Sequence, residues 1–140
     1  MSNRAIVLDA NILIRAVLGK RVRELLIEQA ATVKFFAPDL AYADARKHVP
    51  ALLTKRGISS SAAISVLDGL QSIVQPIDFE LSAGQQQQAL QRIAIRDADN
   101  WTVLACAITI GCPVWTVNSD FFAAGVAIRT TDRVEWYLAG

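Results

Sequence analysis

The stretch AIVLDANILI, Ala5 to Ile14, decides the fold. Its first four residues are apolar without alternation, which predicts a short strand covered on both faces, as in a parallel sheet. Asp9 closes that strand, and a helix follows from about Asn11, because Leu13, Ala16 and Val17 then recur at helical spacing. An acid at the carboxyl end of a buried parallel strand stands where open α/β sheets gather ligands.

Reading outward, Leu25 and Leu26 continue the helical spacing beyond Gly19 and the basic residues Lys20, Arg21 and Arg23, so one or two helices follow the first strand. Val33 to Ala37 is a second strand. Pro38 and Asp39 open a helix that carries Leu40, Asp44, Val49 and Leu52 toward Arg56, and Gly57 ends it. Ser59, Ser60 or Ser61 caps the next helix, which runs through Ile64, Leu67 and Leu70 to about Ser72. A strand over Ile73 to Asp78 comes next, then a helix over Leu81 to Ile95 with Gln85 to Gln88 on an exposed face. Asp99 or Asn100 starts a helix that Gly111 ends, and strands follow at Val114 to Val117 and Val126 to Thr130. Strands alternating with helices predict a three-layer α/β/α sandwich around a central parallel sheet, as one domain over residues 1–140.

With 140 residues and 53% hydrophobic content, the chain can bury one sizeable core. The charged fraction of 19% and a mean hydropathy of +0.33 exclude a disordered chain. No apolar run reaches the roughly 20 residues that span a bilayer, and Asp9, Asn11 and Arg15 break the only stretch resembling a signal peptide. Cys106 and Cys112 have no zinc-like or redox-like spacing and read as reduced thiols, which favours the cytoplasm. A net charge of +1 provides no global attraction for nucleic acid, so any such binding must come from a local basic patch.

Polar groups recur along the chain, most of them at predicted strand ends and helix entrances: Asp9, Asp44 on a helix, the run Arg96, Asp97, Asp99, Asn100, and then Asn118 and Asp120. Each has a plain structural reading. Asp9, Asp97 and Asp99 can cap helices, Asp44 can pair with Lys47 or His48, and Asp120 can be a turn residue. Converging, the four stations repel one another unless a cation neutralises them, and hard Mg²⁺ or Mn²⁺ suits oxygen ligands. Such a cation can activate water against a phosphodiester without a histidine base. His48 is the single histidine, which leaves no histidine-pair chemistry.

The order of these stations resembles the PIN-domain family, and in particular its VapC-like toxin ribonucleases, along nearly the whole chain. The opening acid is matched by Asp9 in VLDANILI, the second by Asp44 in APDLAYADARKHV, the third region by RDADNWTVLACAITIG, and the fourth by TVNSDFF with Thr116, Asn118 and Asp120. The resemblance implies a metal-dependent endoribonuclease, often the toxin of a toxin–antitoxin pair. Asp9, Asp44, Asp97, Asp99, Asn100 and Asp120 would then be metal ligands, with Asp9, Asp44, Asp99 and Asp120 catalytic and Asn11, Thr116 and Asn118 supporting them. One departure stands out: the family's third acid falls on Asn100, which is uncharged. This keeps a weakened RNA- or antitoxin-binding module as the alternative. A phosphohydrolase with Asp9 as nucleophile would want a second acid at position 11, where Asn11 stands.

The resemblance implies RNA as substrate and an antitoxin or a second copy as partner. Arg15, Lys20, Arg21 and Arg23 can hold an RNA backbone or be ordinary solvated cations. Apolar residues around Val22 to Ala30 and Val49 to Leu53 predict a partner-binding face. Trp101 and Trp115 have apolar neighbours and read as core.

Overall fold

β1 (Arg4–Leu8) is the middle strand of a parallel sheet ordered β3-β2-β1-β4-β5. The computed structural model describes residues 4–55, 57, 60–78, 101–116, 128–129 and 134, and the architecture below is that of these residues. After β1 come α1 (Ala10–Leu18), α2 (Arg21–Gln29), β2 (Val33–Pro38), α3 (Asp39–Lys55) and α4 (Ser60–Gly69). A 3₁₀ turn (Leu70–Ser72), β3 (Val74–Ile77), α5 (Trp101–Ile110), β4 (Val114–Trp115) and β5 (Ile128–Arg129) follow.

The alternation of side chains along each strand builds the layers. Ile6 and Leu8 of β1, Val33, Phe35 and Ala37 of β2, and Trp115 of β4 pack into one core with α1 to α4. Val7 and Val114 point the other way, into a second core with Val103, Leu104 and Cys106 of α5. The sheet is therefore covered on both faces, and Ile6, Val7 and Leu8 are all fully buried. Each such aliphatic side chain contributes about 1.5–3 kcal/mol. Trp115 is also fully buried, tilted against Phe35 at a centroid distance of 6.5 Å, so it is a core residue.

From β1 the chain winds outward through β2 to β3, then returns to lay β4 on the opposite side of β1. The winding reverses between β1 and β4, which makes the carboxyl ends of those two strands the topological switch point. α5 leads through Gly111 and Pro113 into β4 and packs on β1, β2 and β4, so it runs against the strands. Trp101 therefore starts it at the carboxyl edge, ten residues or about 15 Å from its other end.

Helix boundaries follow local chemistry. Asp9 caps α1, Gly57 (φ 66°) follows α3, and Gly111 (φ 77°) ends α5, with the Gly111 and Cys112 amides both donating to the Ala107 carbonyl. α1 and α2 are two helices because the chain turns at Gly19, where a Cβ would lie 2.9 Å from the Arg15 carbonyl oxygen. α3 continues through Pro50, although a proline inside a helix removes a backbone donor. Its buried stripe of Ala41, Tyr42, Ala45, Val49 and Leu53 holds it on the sheet, and the Tyr42 hydroxyl donates to the Val74 carbonyl. α4 stops at Gly69 and tightens into the 3₁₀ turn, shorter than the single helix expected to Ser72. β3 is the sheet edge beyond β2 and carries Pro76.

Two expectations are corrected. Val22, Leu25, Leu26, Val49 and Leu53 are core residues, so the early helices hold no large excess of apolar surface; Ile27, 58% exposed, is the exception among those segments' large side chains. Asp44 does not pair through its carboxylate with His48: the His48 ring nitrogen Nδ1 lies 2.8 Å from the Asp44 backbone oxygen. Arg46 on the other flank of α3 instead joins Asp68 of α4 in an exposed ion pair. Cys106 is buried and Cys112 half-buried, neither joined in a disulfide, and burial beside Cys106 pushes the Cys112 thiol up to about 11. No helix among the described residues is long and apolar enough to cross a membrane. The expected helix over Leu81 to Ile95 lies outside the described residues.

Candidate active site

Asp9 occupies the switch point. It ends β1, and its backbone amide still reaches the Trp115 carbonyl of β4 at 3.5 Å. Its Oδ1 accepts from the Ile12 amide at 3.0 Å, the helix-capping bond expected from the sequence, and its Oδ2 accepts from the Thr116 hydroxyl at the end of β4. The cap reading and the site reading are thus both satisfied by one side chain. One oxygen fixes the start of α1 and the other ties β1 to β4.

Only 3% of Asp9 is exposed, and Thr116 is fully buried. Burial raises the Asp9 pKa above the usual carboxylate value, opposed by the bonds from Thr116 and from the Ile12 and Asn11 amides and by the nearby charge of Arg15. A carboxylate in this setting is costly to ionise and is stabilised by any added positive charge. Two carboxylate oxygens, a hydroxyl and hydrogen-bonding neighbours make an all-oxygen donor set. Hard divalent cations favour such a set, and zinc does not.

Asp44 lies in the second turn of α3, between the buried Ala41 and Ala45, and its side chain is exposed. It flanks the buried stripe without joining it. Asn11 is exposed in the first turn of α1. Asp97, Asp99, Asn100, Asn118 and Asp120 lie outside the described residues. Among the described residues no three acidic, histidine or cysteine side chains stand close enough to hold one metal ion.

Asp39 is the acid that sequence reading passed over as a mere helix opener. It follows β2 as Asp9 follows β1, and its Oδ1 is buried. Strand register, which the sequence does not announce, is what matters here: Val7 pairs with Phe36, which brings the ends of β1 and β2 side by side.

A family model described as the PIN domain matches residues 7–139. The chain belongs to the PIN-domain family. PIN domains are a family of nucleases, and its members typically bind Mg²⁺. Solved structures with the same fold include VapBC2 from Rickettsia felis bound to a DNA fragment from its promoter, at 18% identity and a TM-score of 0.66 over 90% of this chain and 98% of that one. DNA-bound VapBC from Salmonella typhimurium is 17% identical with a TM-score of 0.67, covering 91% and 98% of the two chains. FitAcB from Neisseria gonorrhoeae is 21% identical with a TM-score of 0.61, covering 90% and 97%. At these identities the likeness is one of fold. No curated protein matches the sequence.

Proposed function

We propose that this PIN domain is a Mg²⁺- or Mn²⁺-dependent endoribonuclease, the toxin of a toxin–antitoxin pair. The observation that carries the reading is Asp9: a carboxylate buried at the topological switch point and held by Thr116 and the start of α1. Bound there, a hard divalent cation would neutralise phosphodiester charge and acidify a water.

The chain's own residues prepare that site. Asp9 and Asp44, with Asp97 or Asp99 and Asp120, would hold the cation, and Asn100 would offer an amide oxygen. Thr116 donates to Asp9 Oδ2 and leaves Asp9 rotationally fixed, so little reorganisation is needed when a ligand arrives. Asn11 and Asn118 would orient the remaining shell by hydrogen bonds. The run Asp97 to Asn100 directly precedes Trp101, which lies on the same carboxyl edge as Asp9. Structures of VapBC and FitAcB support the partner half of the reading, since each contains a PIN-like chain within a named complex.

Asn100 favours a second reading, a catalytically weakened PIN-fold module that binds RNA or an antitoxin. One experiment separates the two. Cleavage of a labelled RNA that requires Mg²⁺ or Mn²⁺, stops with chelator and is lost in Asp9→Asn supports the nuclease. Metal-independent cleavage, or cleavage equal in the variant, points to a contaminating enzyme and removes the reading.

A further inference from the structure

Ile27, on α2, is the most exposed of the large apolar side chains among the described residues. Glu24 and Glu28 are exposed beside it, and spacings of three and four put all three on the outer face of the helix. An apolar knob is thereby bracketed by acids. Toward the start of the same face stand Lys20 and Arg21, both exposed.

That cationic end borders a cleft of about 610 Å³ where α1 hands over to α2. Ile14, Leu18 and Leu52 give it aliphatic walls, and Arg15, Lys20 and Arg21 surround them with positive charge. No acid is among the described residues that line it. One corner of the molecule thus carries both an acid-flanked knob and a cation-flanked hollow.

The charges of α2 also run against the helix itself. Arg21 and Arg23 occupy its first turn, Lys20 at its N-cap makes no side-chain capping bond, and its last turn holds Glu28 and no basic residue. A helix dipole favours the opposite order, with acids at the start and cations at the end. A second α2 laid antiparallel supplies that order from outside.

We propose that this corner joins two copies of the chain, with α2 antiparallel to α2 across a two-fold axis and Ile27 of each copy seated at the cleft of the other. Arg21 and Glu28 are seven residues apart, two helical turns or about 10 Å. An axis between Glu24 and Leu25 therefore sets Glu28 of each copy on Arg21 of the other. The same register brings Ile27 to Val22, which lines the cleft. The two Glu24 carboxylates meet near the axis, where each keeps its own Lys20 at 3.7 Å. Arg23 is engaged within its own chain, donating to the Val17 carbonyl. Charge complementarity selects a second copy as the occupant, because the acids and the apolar side chain that suit the cleft are on the chain's own surface. The interface does not depend on the nuclease reading.

Sedimentation equilibrium of the full chain should give twice the 15.2 kDa chain mass at roughly 100 µM, well above the Kd of a micromolar pair. Ile27→Lys, which sets a cation against the three of the cleft, should leave a monomer at that concentration. Glu28→Arg should weaken the dimer roughly tenfold, because the repelling contact occurs twice. Adding Arg21→Glu to Glu28→Arg restores the pair with its signs exchanged and should recover most of the lost affinity. Lys47→Glu, on the exposed flank of α3, should change nothing. All the altered positions are exposed, so each variant should keep its fold, which circular dichroism checks. A monomeric wild type overturns the proposal, and an acidic amphipathic peptide that then binds at the three cations would give the cleft to a different protein. A dimer that survives Ile27→Lys, that is not rescued by the exchanged pair, or that is lost equally in Lys47→Glu also overturns it.

Discussion

Asp9 and Asp44 are two acids of the same motif set placed in opposite settings. Asp9 is enclosed at the end of the central strand, with each oxygen engaged, whereas Asp44 is exposed on the flank of α3. A carboxylate on a helix surface can be stable for reasons unrelated to function. One enclosed at a sheet's switch point costs free energy to ionise, so its setting itself points to a cation. The contrast teaches that the value of an acid as a site marker lies in its surroundings, and it predicts unequal consequences when either is altered.

The largest effect should come from Asp9→Asn, which removes a ligand charge with little change of shape. RNA cleavage followed on a gel should fall by at least two to three orders of magnitude, comparable to losing a key stabilising group in other active sites. Next, Thr116→Val removes the hydroxyl that orients Asp9. Calorimetric titration should show Mn²⁺ affinity lower by about 10–100-fold. Asp44→Asn should cost less, of the order of tenfold in the same titration, because an exposed side chain gives up less preorganisation. A loss as large as that of Asp9→Asn would erase the contrast and make the two acids equal members of one shell.

A smaller change is expected at the third station. Asn100→Asp should tighten Mn²⁺ binding severalfold by restoring a charge, while Asp97→Asn or Asp99→Asn should weaken it. If none of the three matters, that station is only a helix cap and the weakened-module reading gains.

The smallest and most direct probe of burial is thermal stability without metal. The folded-state pKa of Asp9 is raised, so folding favours its protonated form. That contribution is fully present below the ordinary aspartate value near 4 and is lost as pH rises through the higher folded pKa. Asp9→Asn, which keeps a good cap, should therefore raise Tm in chelator at neutral pH, whereas Asp9→Ala should lower it by removing a cap worth about 1 kcal/mol. Added Mn²⁺ should stabilise the wild type and not the Asn variant. A lower Tm for Asp9→Asn in chelator would show that burial of this carboxylate carries no penalty.

Much of the fold is legible in the chain itself. Uninterrupted apolar character in Ala5 to Leu8 implies cover on both faces, and Ile6 and Val7 do pack into different cores. Gly57 and Gly111 end helices as read, since both adopt positive φ. The place of Asp9 at a strand end is also readable. What the chain could not announce was its partner: Thr116 is 107 positions away, and only the reversal of winding between β1 and β4 brings it to Asp9. Apolar spacing likewise could not tell Val22, Leu25 and Leu26 as core from the same residues as a docking face, because both use the same chemistry. Asp39 was missed for a related reason, as its place after the strand that pairs with β1 depends on strand register.

Pro76 sets a limit on how the molecule can grow. β3 is four residues long and forms one margin of the sheet, and proline supplies no amide hydrogen to an incoming strand. A further strand laid along that margin would find its ladder interrupted almost as soon as it began. Polymerisation by sheet extension is thereby disfavoured on this side. The same four residues that complete the fold also make it a terminus for its own kind.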